Sequence, residues 1–228
     1  VTEEQVGPRS RRERPAKAAL TRGGIVATAV ELVRAEGLAK VTMRRLAQEL
    51  DTGAASLYVY VRNTAELHAA VLDELLGSVE LESAGDWQDR LELVLRSYTQ
   101  VLFDYPGLAQ SALVARPAGA NYLRLIEALL ALLSEGGVPK AQAAWGIDLL
   151  LQYATATAVE HADSGGAGVP GEWEATAVAV RNVSSSTHPQ LAEHGDDLFA
   201  GPGEARLEWS IRVLINGISS TPRDRSSL

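Results

Sequence analysis

The chain has 228 residues, 46% of them hydrophobic and 22% charged, with a formal net charge of −8. That is enough apolar material for the core of one medium domain beside a smaller one, which excludes a disordered tail protein. With no cysteine there is no disulfide, thiolate–metal site or cysteine nucleophile. No run of eighteen apolar residues occurs and residues 1–20 are charged without an apolar h-region, so neither a membrane span nor a signal peptide is expected and the chain reads as cytoplasmic.

The charge is unevenly divided. Residues 1–64 hold 11 Lys and Arg against 7 Asp and Glu, whereas residues 65–228 hold 10 against 22. A basic N-terminal end on an acidic body suits a protein that touches phosphate with one end only. Residues 1–17 carry Arg9, Arg11, Arg12 and Arg14 with two prolines, and read as a disordered basic arm, either following DNA or simply solvated.

A first helix is expected over 18–36, with Ile25, Ala29, Leu32 and Val33 as its buried stripe and Gly37 as its stop. Thr42 then caps a helix through Leu46, Ala47 and Leu50, ended by Asp51, one of the few residue types besides glycine that tolerate a left-handed turn. A short helix of about eight residues begins near Gly53. Leu57 and Val61, four apart, face its core, which leaves Ala54, Ala55, Ser56, Tyr58 and Tyr60 toward solvent. After Arg62, Asn63 and Glu66 have the form of a capping box. Helix, tight turn, second helix and new helix start make a helix-turn-helix, and residues 18–64 read as a DNA-binding domain.

A fourth helix, 64–81, places Leu67, Val71 and Leu75 on one face, so residues 65–82 read as a connecting helix. Beyond Ser83-Ala84-Gly85 the pattern stays helical, so the whole chain is read as all-α. Asp86 caps a helix with Leu91, Val94, Leu95, Tyr98 and Leu102 on its apolar face, ended by Pro106-Gly107. Helices follow at 108–114, 121–134, 140–162, 172–183, within 184–203, and at 204–218, making a larger helical domain over 86–219 with a flexible tail at 220–228. Residues 145–159 and the last helix, with Trp209 and Val213 off its main stripe, are apolar on more than one face. Such helices lie inside a bundle or at a subunit contact.

The run from Ile25 to Leu67 resembles the DNA-binding domain of the TetR family of bacterial transcriptional regulators. The matching elements are Glu36-Gly37, Thr42 through Ala47 (T-x-R-x-L-A), Leu57-Tyr58, and Asn63 through Leu67 (N-x-x-x-L). Further on, DWQDRL at 86–91, ARP at 115–117 and the Trp145 to Glu160 helix are similar to the ligand-binding domain of the branch that includes the tetracycline repressors. The resemblance implies a homodimer formed through helices 140–162 and 204–218, an operator of double-stranded DNA and a small-molecule effector. A two-fold dimer also follows from geometry, because a lone recognition helix reads too few base pairs.

On the DNA side, Ala54 and Ala55 permit close approach and meet thymine methyls, and Ser56 adds a hydroxyl. Tyr58 and Tyr60 reach phosphate or a base edge, Thr42 and Thr64 sit at helix N-termini that donate to phosphate, and Arg45 and Arg62 add charge. Arg44 matches a position that family members use for bidentate contact to guanine. For the effector, facing helices offer Val94, Tyr98, Leu102, Leu113, Arg116, Tyr122, Ile126, Trp145, Leu149, Gln152, Tyr153 and Glu160, a set suited to a molecule of several rings. Where tetracycline-binding members bring a magnesium-coordinating histidine the chain has Ala112, and Val94 replaces a polar ligand contact, which points to a different effector.

The four histidines, His68, His161, His188 and His194, are scattered, and neither a glycine-rich phosphate loop nor a G-x-S-x-G occurs. No metal, cofactor or catalytic residue is therefore expected, and the chain reads as a non-enzyme. The competing reading is a small-molecule-binding or sequestering module with a decayed helix-turn-helix, favoured only by Asp51 where a turn glycine is usual.

Overall fold

The computed structural model describes residues 19–114, 117–163 and 170–223. Eleven α-helices occur among them, and no strand. The basic arm expected at 1–17 lies outside the described residues.

The first helix, α1 (Arg22–Glu36), starts four residues later than its periodicity predicts, because Thr21 caps it by accepting from the Gly24 N–H at 3.0 Å. Its expected stripe is buried, and it ends where Gly37 takes φ 82°. After a 3-10 turn at Leu38–Lys40 comes α2 (Met43–Glu49), capped as expected by Thr42, whose Oγ1 accepts from the Arg45 N–H at 3.1 Å. Asp51 has φ 48°, the one positive φ of a non-glycine residue among those described, so the left-handed turn forms without glycine.

The recognition helix α3 (Ala54–Leu57) is a single turn rather than the expected two, and continues as hydrogen-bonded turn through Tyr60. Leu57 and Val61 are both fully buried, and that pair fixes which way the intervening side chains point. Asn63 caps α4 (Thr64–Leu75) by accepting from the Glu66 N–H at 2.8 Å. The return half of the capping box lands one residue early, with Glu66 Oε2 accepting from the Arg62 N–H at 2.9 Å. The connecting helix is shorter than the expected 64–81. It gives way to a 3-10 turn at Leu76–Ser78, where Gly77 lowers helix propensity and the Ser78 hydroxyl donates to the Leu75 carbonyl at 2.8 Å.

The larger unit is built on α5 (Trp87–Asp104), whose cap Asp86 accepts from the N–H groups of Gln88 and Asp89. It continues with α6 (Pro106–Val114), α7 (Ala120–Glu135), α8 (Lys140–Asp163), α9 (Pro170–Arg181), α10 (Pro189–Phe199) and α11 (Gly203–Ser220). The helix α5 packs against α6, α7, α8 and α11, so its apolar face is the centre of the bundle. Leu91, Leu95 and Leu102 of α5 share this core with Leu125, Leu129 and Leu133 of α7, all essentially without solvent exposure. Burying each such leucine contributes about 1.5–3 kcal/mol. The hydroxyls of Tyr98 and Thr155 satisfy each other at 2.8 Å inside this core. The connecting helix α4 packs on α1 on one side and on α6 and α7 on the other, so it belongs to both units.

Candidate nucleic-acid interface and cavity

The outward face of the helix-turn-helix gathers most of the side chains picked from the sequence. Thr42, Arg44, Ala55, Ser56, Tyr58, Tyr60, Arg62 and Thr64 are all exposed, while Ala54 is half-buried against the core. Because Thr42 uses its oxygen lone pair as the cap, its hydroxyl hydrogen stays available to a phosphate. Val59, between the tyrosines and 80% exposed, belongs to the same face and is absent from the sequence-based set. Its signal is an apolar residue lying off the Leu57–Val61 stripe.

The arginines of this unit are not equivalent. Arg45 is held between Glu36 at 2.8 Å and Glu49 at 2.5 Å, and hydrogen bonds to Glu49 and then Glu36 raise its pKa. Through these two ion pairs Arg45, expected to add charge to the DNA-facing side, joins α1 to the C-terminal turn of α2. Arg62 donates through its Nε to Glu66 at 3.0 Å and keeps most of its surface exposed. Its backbone and side-chain hydrogen bonds hold the Glu66 carboxyl below the usual glutamate range. Arg44 is exposed and has no ion pair among the described residues. Its guanidinium is thus not engaged by a carboxylate among the described residues, unlike those of Arg45 and Arg62.

The side chains expected to line an effector cavity are not brought together. Val94, Tyr98, Leu102 and Tyr122 are packed into the core, with Ile126 half-buried at its margin. Leu113, Trp145, Leu149 and Gln152 are exposed on the outer surface, and Arg116 lies outside the described residues. Ala112 is buried as well. The reason is physical: aromatic and aliphatic side chains at helical spacing are what a tightly packed core also requires.

Among the described residues of that set, Tyr153 and Glu160 reach the large cavity, which has a volume of about 1030 Å³. It lies against the polar side of α5, opposite the core face, where Arg96, Gln100 and Phe103 recur at i, i+4 and i+7. Across from them α8 contributes Tyr153, Thr157, Glu160 and His161, and α9, α10 and α11 close the remaining sides. The rings of Phe103 and His161 are stacked at a tilt of 38° with centroids 4.4 Å apart. At the other end Arg96 of α5 makes an ion pair with Glu204 of α11. The volume accommodates a ligand of several rings. Among the described residues no group of three or more His, Asp or Glu side chains is placed to hold a metal, and no helix is long and apolar enough to cross a membrane.

A third surface lies on the outside of α8 and α11, which pack on each other through their inner faces. Trp145 and Leu149 on α8, and Trp209 and Val213 on α11, are exposed, the two tryptophans by 58% and 68%. The Arg223 guanidinium covers one face of the Trp145 ring at 3.7 Å.

Residues 25–71 match the family model described as bacterial regulatory proteins of the tetR family, and residues 81–221 match the tetracyclin repressor-like C-terminal domain. Among solved structures, a transcription regulator from Streptomyces coelicor, SCO7704, is 60% identical, with a TM-score of 0.80 over 92% of this chain and 100% of that one. The Streptomyces coelicolor TetR family protein ActR in complex with actinorhodin is 33% identical, with a TM-score of 0.77 over 88% of this chain and 96% of that one. A helix-turn-helix transcriptional regulator of Saccharopolyspora erythraea is 35% identical over 127 residues, so the chain spans only 54% of that relative's length. With both its DNA-binding and its C-terminal domain matched, the chain belongs to the TetR family of bacterial transcriptional regulators.

Proposed function

We propose that the chain is a ligand-released repressor, a homodimer that reads a palindromic operator and leaves it when a small-molecule effector binds between the helices of the C-terminal domain. The observation that carries this reading is the outward face of the helix-turn-helix, where Arg44, Ser56, Tyr58, Val59 and Tyr60 stand exposed on a well-capped scaffold. Asp51 closes the turn in the left-handed conformation, which removes the reason to regard the motif as decayed. The exposed apolar stripe of α8 and α11 supports a two-fold contact between copies, because aromatic residues are enriched at interface cores. Two recognition helices held that way enter successive major grooves about 34–36 Å apart.

Within this reading Arg44 makes the base contact, and Thr42, Tyr58, Tyr60, Arg62 and Thr64 contact phosphate. Ala54, Ala55 and Val59 lie against the groove floor. Release needs a ligand that favours the operator-incompetent form by about 5.5 kcal/mol to swing the population from 99:1 to 1:99. The cavity beside α5 is the place for it, and ActR bound to actinorhodin is a relative of this fold caught with a small molecule. Selection of sites from a random duplex library by the purified protein tests the reading. Enrichment of a two-fold symmetric sequence supports it, whereas no enrichment by a folded dimer sinks it.

A further inference from the structure

We propose that the cavity takes a planar aromatic acid whose carboxylate replaces Glu204 on Arg96. This rests on the effector-responsive reading above and names the chemistry of its ligand.

The first observation is charge. Residues 65–228 carry 10 basic against 22 acidic side chains, yet the wall of this cavity carries three arginines, Arg96, Arg181 and Arg206, against two glutamates. A cationic wall inside an acidic unit selects an anion. Arg206 is committed, since it donates to the carbonyls of Leu198 and Ala200 at the end of α10. Arg181 leans toward Asp196 at 3.7 Å.

Arg96 differs from Arg181 in its own setting, its side chain 35% exposed against 55% and on the same side of α5 as Phe103. Glu204 reaches it from another helix, and the Glu204 side chain is 73% exposed. An ion pair at the solvent edge contributes little net free energy, so a carboxylate arriving with other contacts of its own displaces Glu204 at small cost. The guanidinium fork then holds the incoming carboxylate through two parallel hydrogen bonds. Glu204 is in this sense an internal stand-in for the ligand's acid group.

The second observation is the other end of the cavity. Phe103 lies two turns along α5 from Arg96, roughly 10 Å at the helical rise, and its ring is stacked with His161. A carboxylate on Arg96 with a ring against Phe103 is therefore the outline of two or three fused aromatic rings bearing an acid at one end. Displacing Glu204 also removes a tie between α5 and α11, one of the two helices with an outward apolar stripe, so occupancy reaches the surface on which operator spacing depends.

The test is calorimetric titration of the full chain with anthraquinone-2-carboxylate and with its neutral counterpart 2-(hydroxymethyl)anthraquinone. The acid is expected to bind about tenfold tighter than the alcohol. Arg96→Gln brings the acid down to the alcohol's level and leaves the alcohol unchanged, whereas Glu204→Gln raises the acid's affinity by about threefold by removing its competitor. Opposite effects from two neighbouring substitutions are not what loss of folding produces, and Glu204→Gln, at an exposed position, remains informative even if Arg96→Gln misfolds. Binding of both probes equally, or of neither, overturns the proposal, as does an acid affinity that ignores Glu204→Gln. Operator affinity measured on the same preparations separates the two readings. Acid binding without operator release keeps the ligand assignment and removes the effector role, whereas absence of acid binding with intact operator binding removes the ligand assignment and leaves the operator-binding reading standing.

Discussion

Asp73, on the helix that leaves the DNA-binding unit, accepts a hydrogen bond from the backbone N–H of Tyr122 at 2.9 Å, so α4 caps the N-terminus of α7 in the other unit. The second carboxylate oxygen faces the Asn121 N–H at 3.5 Å. Gly119 sits so close that a Cβ there would stand 2.1 Å from Asp73 Oδ2. A negative charge at a helix N-terminus is favoured both as hydrogen-bond acceptor and by the helix dipole. Asp73→Ala is expected to lower stability by about 1–2 kcal/mol in denaturant unfolding, and Asp73→Asn, which keeps an acceptor, by less. Gly119→Ala evicts the carboxylate and should resemble Asp73→Ala, whereas a silent Gly119→Ala would show that the cap does not hold in solution.

Arg44 and Arg45 are adjacent and are expected to fail differently. Arg44→Ala should cost roughly 1–3 kcal/mol of operator affinity and relax the preference at one base position. Arg45→Ala loses two carboxylate partners and should lower the thermal stability of the helix-turn-helix while leaving the sequence preference intact. Binding measured against a set of single-base operator variants distinguishes them, and a uniform loss over all variants for Arg44→Ala would exclude base readout.

Trp209 is the most exposed large side chain of the α8 and α11 surface. Trp209→Asp places a charge in the proposed contact between copies and is expected to shift sedimentation from dimer to monomer, with loss of operator binding at the same protein concentration. An unchanged sedimentation coefficient would place the dimer contact elsewhere.

His68 on α4 bonds through Nδ1 to Ser111 of α6 at 3.2 Å, and its Nε2 is buried without a hydrogen-bond partner. Burial lowers its pKa from 6.5. A depressed folded-state pKa means that the unfolded chain protonates first, so this contribution to stability is present above pH 6.5 and is lost as pH falls through the folded value. Unfolding free energy measured from pH 7.5 downward should fall on the acid side, and His68→Gln should flatten that fall.

The helix caps were the most legible part of the sequence, because Thr42, Asn63 and Asp86 each act through a hydrogen bond to residues two or three positions on. Asp51 was legible for the same reason, since its left-handed turn is a property of its own backbone. The cavity was not, because its walls come from the polar side of α5 and from helices about fifty to over a hundred residues away. Selecting apolar and aromatic residues at helical spacing found Val94, Tyr98 and Leu102, which are the core that holds α5 in place. The series Arg96, Gln100 and Phe103, two polar residues and one aromatic on the other side of the same helix, carried the other signal. The Asp73 cap was equally hidden, as no local pattern links an aspartate in the last turn of one helix to an N–H group 49 positions on.

The most direct test of the central claim is hydroxyl-radical footprinting of the selected duplex with the full chain. A dimer reading two successive major grooves predicts two protected patches related by a dyad and separated by about one helical turn. A single patch, or uniform protection along the duplex, would contradict it.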